Sequence, residues 1–176
     1  MKQEFYYQQM NKAQQNAYRA MLDGFESLSP EFPVLRLDGK ELSDIFFRLR
    51  LDHPAIFYVE GFHYRFARNS EYVQMIPEYM FEKKKIKEMK TALESRISRL
   101  VRQAEGMTPE EKEKYVHEFI CSNVTYDKLK KQYSHEIIGP LQQGIGVCEG
   151  IAKTVKILCD RLGLECLIAI SESAPD

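Results

Sequence analysis

The chain has no tryptophan, and its 176 residues hold only four histidines and four cysteines. No two cysteines form a C-x-x-C pair. No histidine follows Cys148, because His53, His63, His117 and His135 all precede it. Zinc sites of the structural kind need ligands at close, repeated spacing, so this pattern argues against one. Cys121, Cys148, Cys159 and Cys166 are scattered and read as reduced thiols rather than as a disulfide framework. No stretch approaches the ~20 apolar residues of a membrane span. The opening Met1-Lys2-Gln3-Glu4-Phe5-Tyr6-Tyr7 has no apolar run of leader length. These absences read as a soluble, cytoplasmic protein with no membrane partner. Charge of one sign is lacking too: 25 basic against 26 acidic residues give a formal net charge of -1. That leaves no electrostatic footprint for nucleic acid. The Lys83, Lys84, Lys85, Lys87 cluster opens a helical pattern with acids nearby and reads as a solvated face. No residue pattern implies a metal or an organic cofactor.

What is present is an ordinary globular composition, 44% hydrophobic and 29% charged, in a chain long enough to bury a core. Apolar steps of three to five predict a helix over residues 4 to 27, broken by Ser29-Pro30 and Phe32-Pro33. Val34 to Leu37 reads as a short extended run. A second helix carries Leu42, Ile45, Phe46 and Leu49 on one face. Aromatic and β-branched runs at Ile56–Val59, Phe62–Phe66 and Tyr72–Ile76 predict two or three antiparallel strands. The period over 82 to 105 predicts a long helix stopped by Gly106. Thr108-Pro109-Glu110-Glu111 then matches a capping box opening a helix to about Asn123, with Val116, Phe119 and Ile120 inward. Residues 126 to 146 read as a polar loop. A helix follows from near Val147 to Leu162, with Ile151, Ala152, Val155, Leu158 and Leu162 as its buried stripe and Gly163 as its stop. Leu164 to Ile170 is apolar and predicts a strand buried on both faces.

The chemistry concentrates in Gly144-Ile145-Gly146-Val147-Cys148-Glu149-Gly150-Ile151-Ala152. A helix begins at the sulfur, and its N–H groups and dipole favour an anion there. The same groups suit the oxyanion of a tetrahedral acyl intermediate. Gly150 leaves room for a substrate or another segment to pass close. Cys148 is therefore the candidate nucleophile; a buried structural cysteine is the plain alternative on the residues alone. His135 reads as an exposed loop histidine with nothing near it to orient it. Gln142 and Gln143 are polar loop residues able to donate to an oxyanion.

The G-x-G-V-C-E-G-x-A run, its helix, and the Leu162-Gly163-Leu164-Glu165 turn resemble the transglutaminase-like superfamily, whose motif is G-V-C-x-G-Y-A. Asn123-Val124-Thr125-Tyr126-Asp127 resembles the family's lead-in, and Asp52-His53-Pro54-Ala55-Ile56-Phe57-Tyr58 resembles an N-terminal stretch of its bacterial members. Ile151 stands where the motif has an aromatic. The resemblance implies an α+β fold with an incomplete papain-like or transglutaminase-like core. It divides the chain into a helical extension with short strands (residues 1–106) and the first part of the enzyme domain (residues 107–176). It also implies acyl transfer or hydrolysis on a protein or peptide substrate through a thioester on Cys148. The family's histidine and aspartate lie on strands beyond Leu164 to Ile170, and this sequence has neither. The chain itself is thus expected to be inactive, or to be a protein-binding module that keeps the scaffold without the chemistry. An exposed strand edge at 164 to 170 would favour a homodimer.

Overall fold

Asn11 decides where the first long helix begins. In the computed structural model, which describes residues 4–66 and 68–171, the expected helix over 4 to 27 is two: α1 (Phe5–Gln8) and α2 (Lys12–Glu26). The Asn11 side chain accepts from the Gln14 N–H at 2.9 Å, and the Gln14 side-chain carbonyl accepts from the Asn11 N–H at 3.1 Å. This reciprocal cap starts a new helix and so breaks the old one. The described chain divides into two compact units, residues 4–99 and residues 100–171.

In the first unit, α2 buries Ala17, Tyr18, Met21, Leu22 and Phe25. They face β1 (Phe32–Leu35) and α3 (Gly39–Asp52), which buries Leu42, Ile45 and Leu49. Each buried Leu, Ile, Met or Phe among them contributes roughly 1.5–3 kcal/mol of hydrophobic stabilisation. Asp52 closes α3 in the core. Its carboxylate accepts from the Tyr6 N–H (3.2 Å), the Tyr7 N–H (3.1 Å) and the Tyr18 hydroxyl (2.9 Å). His53 Nε2 lies 2.9 Å from Glu4 Oε1, and Glu4 is bonded to Arg19. The Arg19 guanidinium, helped by His53, holds the Glu4 carboxyl below its ordinary range. The Asp52-His53 pair is thus a clasp on the N-terminal helix.

β2 (Val59–Phe66) and β3 (Tyr72–Tyr79) form an antiparallel hairpin, and β1 adds to β3, giving the order β1-β3-β2. Pro33 sits on β1, an edge strand, where its missing N–H is tolerated. The ladder shifts register between Val59 and Gly61. Ile56 to Tyr58, expected as strand, is a buried turn instead. The Ile56 N–H folds back to the His53 carbonyl (3.0 Å), and the Tyr58 hydroxyl donates to the Phe25 carbonyl (3.1 Å), so the aromatics fill the core.

The division between units falls inside α4 (Lys83–Gln103), whose Ile86, Leu93, Ile97 and Leu100 are buried. In the second unit, α5 (Pro109–Asn123) opens on the expected capping box: the Glu111 N–H donates to Thr108 Oγ1 at 3.2 Å, and the Thr108 N–H donates to Glu111 at 2.8 Å. β4 (Thr125–Tyr126) pairs in parallel with β5 (Ile145–Gly146). The segment between them is no plain loop. It holds a 3₁₀ turn at Gln132–His135 and a π turn at Gly139–Gln143, and it buries Ile137, Ile138 and Leu141. α6 (Cys148–Leu162) packs on α5 and on both turns. Its last carbonyl accepts from Lys112 Nζ at 3.1 Å, and Gly163 at φ +76° turns the chain out of the helix.

One expected element is missing. Residues 164–170 carry no regular structure, and Leu167 and Ile170 are exposed. An apolar run becomes a strand only by laddering with a neighbour, and neither described sheet includes it. The fold is α+β, with helices dominant and a small antiparallel sheet.

Candidate active site

Asp127 organises the approach to α6. Its carboxylate accepts from Ser134 Oγ (2.5 Å), the Lys131 N–H (2.9 Å) and the Leu129 N–H (3.0 Å). The Ser134 hydroxyl foremost, with those backbone donors, holds the Asp127 carboxyl below its ordinary value. Ser134 is thereby fixed, and its carbonyl accepts from the Val147 N–H at 3.1 Å. The same carbonyl rests on the first turn of α6. A Cβ placed on Gly150 would lie 2.1 Å from Ser134 O and 3.2 Å from Glu136 O. The room that Gly150 leaves is filled by the 134–136 segment of the chain itself.

Cys148 is the first residue of α6 and is exposed. Val147, the preceding residue, supplies no side-chain cap. The first-turn N–H groups have no acceptor within the helix, as at any helix start. On the helix wheel, Cys148 shares a face with Ile151, Ala152 and Val155, which are only half-buried. This corrects the expected stripe. Leu158 and Leu162 are buried as anticipated, but the upper helix turns a polar face inward: Lys153, Thr154 and Lys156 are buried instead.

Those lysines are paired. Lys156 Nζ lies 2.6 Å and 2.7 Å from the two oxygens of Asp160. Lys153, 1% exposed, sits 2.8 Å from Glu136 Oε1 and 2.7 Å from Glu149 Oε1. It also donates to the His135 carbonyl at 3.3 Å. Glu149 turns its other oxygen to His135, with Oε2 3.2 Å from Nδ1. A carboxylate only accepts, so this contact places the proton on Nδ1. His135 therefore has an orienting acid, contrary to the expectation from sequence. Sequence reasoning missed it because the partner lies 14 residues downstream, beyond any local rule.

The three other thiols have surroundings of their own. Cys121 and His117 lie four apart on the exposed face of α5, with Sγ 3.6 Å from Nε2. Cys166 has its thiol lowered to about 7, chiefly by a hydrogen bond from Cys159. That same contact, with burial behind it, pushes the Cys159 thiol up. Gln142 and Gln143 are exposed at the end of the π turn. Among the described residues, no three His, Cys, Asp or Glu converge as metal ligands would, and Cys148 makes no hydrogen bond to an imidazole.

The stretch that carries the Cys148 thiol matches a known family model: residues 96–174 match the transglutaminase-like superfamily. This segment is transglutaminase-like. The match spans α5, the 125–146 lead-in, α6 and the turn at Gly163, so Cys148 stands on the transglutaminase-like scaffold at the start of its helix. No curated protein matches the chain. Among the described residues, no helix is long and apolar enough to cross a membrane.

Proposed function

We propose that Cys148 is the nucleophile of a cysteine enzyme acting by acyl transfer or hydrolysis on peptide-type amides. The supporting observation is its exposed position as the first residue of α6, uncapped by Val147, on a helix start held in place by the 134–136 segment. The thiolate attacks the amide carbonyl; the C–S bond forms and the C–N bond breaks. The nitrogen leaves with a proton, and water or an amine then releases the acyl group from the thioester. Proton transfer by a positioned imidazole supplies on the order of 10²–10⁴ in rate. The resemblance puts that imidazole and its acid on later strands, which this sequence does not contain. The half-buried face of Ile151, Ala152 and Val155 beside Cys148 suits such a covering element. The chain alone is accordingly proposed to turn over little or nothing.

The test is turnover of a glutaminyl peptide by this chain and by Cys148→Ala. Negligible and equal rates are expected. Robust turnover that disappears in Cys148→Ala would overturn the proposed inactivity, and would direct attention to the Glu149-oriented His135. A second reading, a protein-binding module that keeps this scaffold without its chemistry, is favoured by the lack of an imidazole bonded to Cys148. It predicts no acyl adduct on Cys148 from any activated substrate. Pairing of two copies through the 164–170 segment is proposed on its exposed Leu167 and Ile170. Sedimentation should show a concentration-dependent dimer that Leu167→Lys abolishes; a monomer throughout would refute it.

A further inference from the structure

Glu149 is the residue directly after the nucleophile and the one acid in the first turn of α6. Such an acid normally gains by staying near its own helix N-terminus, where the dipole and unpaired N–H groups favour negative charge. There it would compete with a thiolate or an oxyanion for the same donors and repel either by its charge. The structure shows it drawn elsewhere. One oxygen is held one turn down the helix by Lys153 (2.7 Å), and the other by His135 Nδ1 (3.2 Å). Lys153 is itself fixed from its far side by buried Glu136 (2.8 Å) and by the His135 carbonyl. Burying a lysine among two carboxylates gains little stability over apolar packing, so packing alone does not explain the arrangement.

We infer that Lys153 is a positioning residue for Cys148: with His135 it restrains Glu149 and partly offsets its charge, keeping that carboxylate off the helix start where the nucleophile works. The inference rests on Cys148 being the proposed nucleophile, and it concerns how the charge beside it is managed. Lys153 touches neither the thiol nor a substrate in this role; it acts through Glu149.

The test compares alkylation of Cys148 by neutral iodoacetamide and by anionic iodoacetate at neutral pH, on the full chain, with each cysteine quantified by peptide mass spectrometry. In Lys153→Met, the iodoacetate rate relative to iodoacetamide should fall about fourfold, the order of effect that one added unit charge on a neighbouring residue has in water-like surroundings. Lys153→Met combined with Glu149→Gln should return the ratio to its starting value. If both reagents slow by the same factor in Lys153→Met, or the double variant fails to recover, Lys153 is merely structural and the inference falls. If Lys153→Met does not fold, Glu149→Gln alone decides. A ratio unchanged within about twofold supports a carboxylate already offset, and a rise of about fourfold shows that Glu149 acts on Cys148 unrestrained. Failure of the nucleophile reading is separate: it would appear in the unaltered chain as Cys148 reacting no faster than exposed Cys121.

Discussion

Replacing Gly150 by alanine should destabilise the protein, although alanine is the better helix former. On propensity alone, Gly→Ala inside a helix gains roughly 1 kcal/mol. Against this stands the 2.1 Å approach of the added Cβ to the Ser134 carbonyl oxygen. A carbon–oxygen contact relaxes near ~3.3 Å, so one backbone must move by more than about 1 Å. Neither moves freely. Ser134 is held through its side chain by Asp127 and through its carbonyl by the Val147 N–H, and α6 is packed on α5. Overpacking against fixed backbone costs at the upper end of ~1–3 kcal/mol. The net expectation is a loss of about 2 kcal/mol, which lowers the urea midpoint by about 1 M at an m-value near 2 kcal/mol per M. Unfolding followed by far-UV circular dichroism reads it. Because the two effects have opposite sign, the outcome is decisive. A midpoint that rises in Gly150→Ala would mean that the 134–136 segment does not lie on α6, and the account of how Cys148 is placed would fail.

Asp127→Asn should cost more stability near neutral pH than in acid below the ordinary carboxyl range. The folded carboxyl is held below its ordinary value, so its contribution is fully present above that value and fades as pH falls through the folded one. A midpoint difference that stays constant with pH would contradict this. Leu158→Ala, at a side chain 1% exposed on α6, should cost about 2–5 kcal/mol by denaturant titration; a loss under 1 kcal/mol would place the helix outside the core. The alkylation rate of Cys166 should rise through an inflection near 7, and Cys159→Ala, which removes the hydrogen bond that lowers it, should move that inflection upward. An inflection that does not move would assign the effect to other surroundings.

The elements that depend on local rules were legible in the sequence. The capping box at Thr108, the periodic α4, and α6 with its glycine stop stand where their patterns put them. The transglutaminase-like assignment was legible as well, since it rests on an ordered motif. What was not legible depends on partners far along the chain. Lys153 and Lys156 lay outside the expected apolar stripe, and ion pairs with Glu136, Glu149 and Asp160 make their burial tolerable. The 126–146 segment read as a loop because its order comes from Asp127 gathering Ser134 and two backbone donors. Residues 164–170 have the composition of a strand, but composition supplies no ladder partner. The expected single helix over 4 to 27 followed the apolar period straight through Asn11, whose reciprocal bond with Gln14 starts a new helix instead. The proposal of a catalytic role for Cys148 comes from the motif; the structure gives its exposed place at the start of α6.

The central proposal is that Cys148 is an acyl-accepting nucleophile that works, in this chain alone, without a positioned imidazole. It is tested most directly by acylation from an activated substrate. A peptide thioester needs no protonated leaving amine, so the missing imidazole matters least there. The chain is incubated with the thioester and with the corresponding amide, and the mass shift is assigned to individual cysteines. The account predicts a single acyl adduct on Cys148 from the thioester, absent in Cys148→Ala, and none from the amide. Adducts spread equally over Cys121 and Cys148, or found on Cys166 instead, would contradict it.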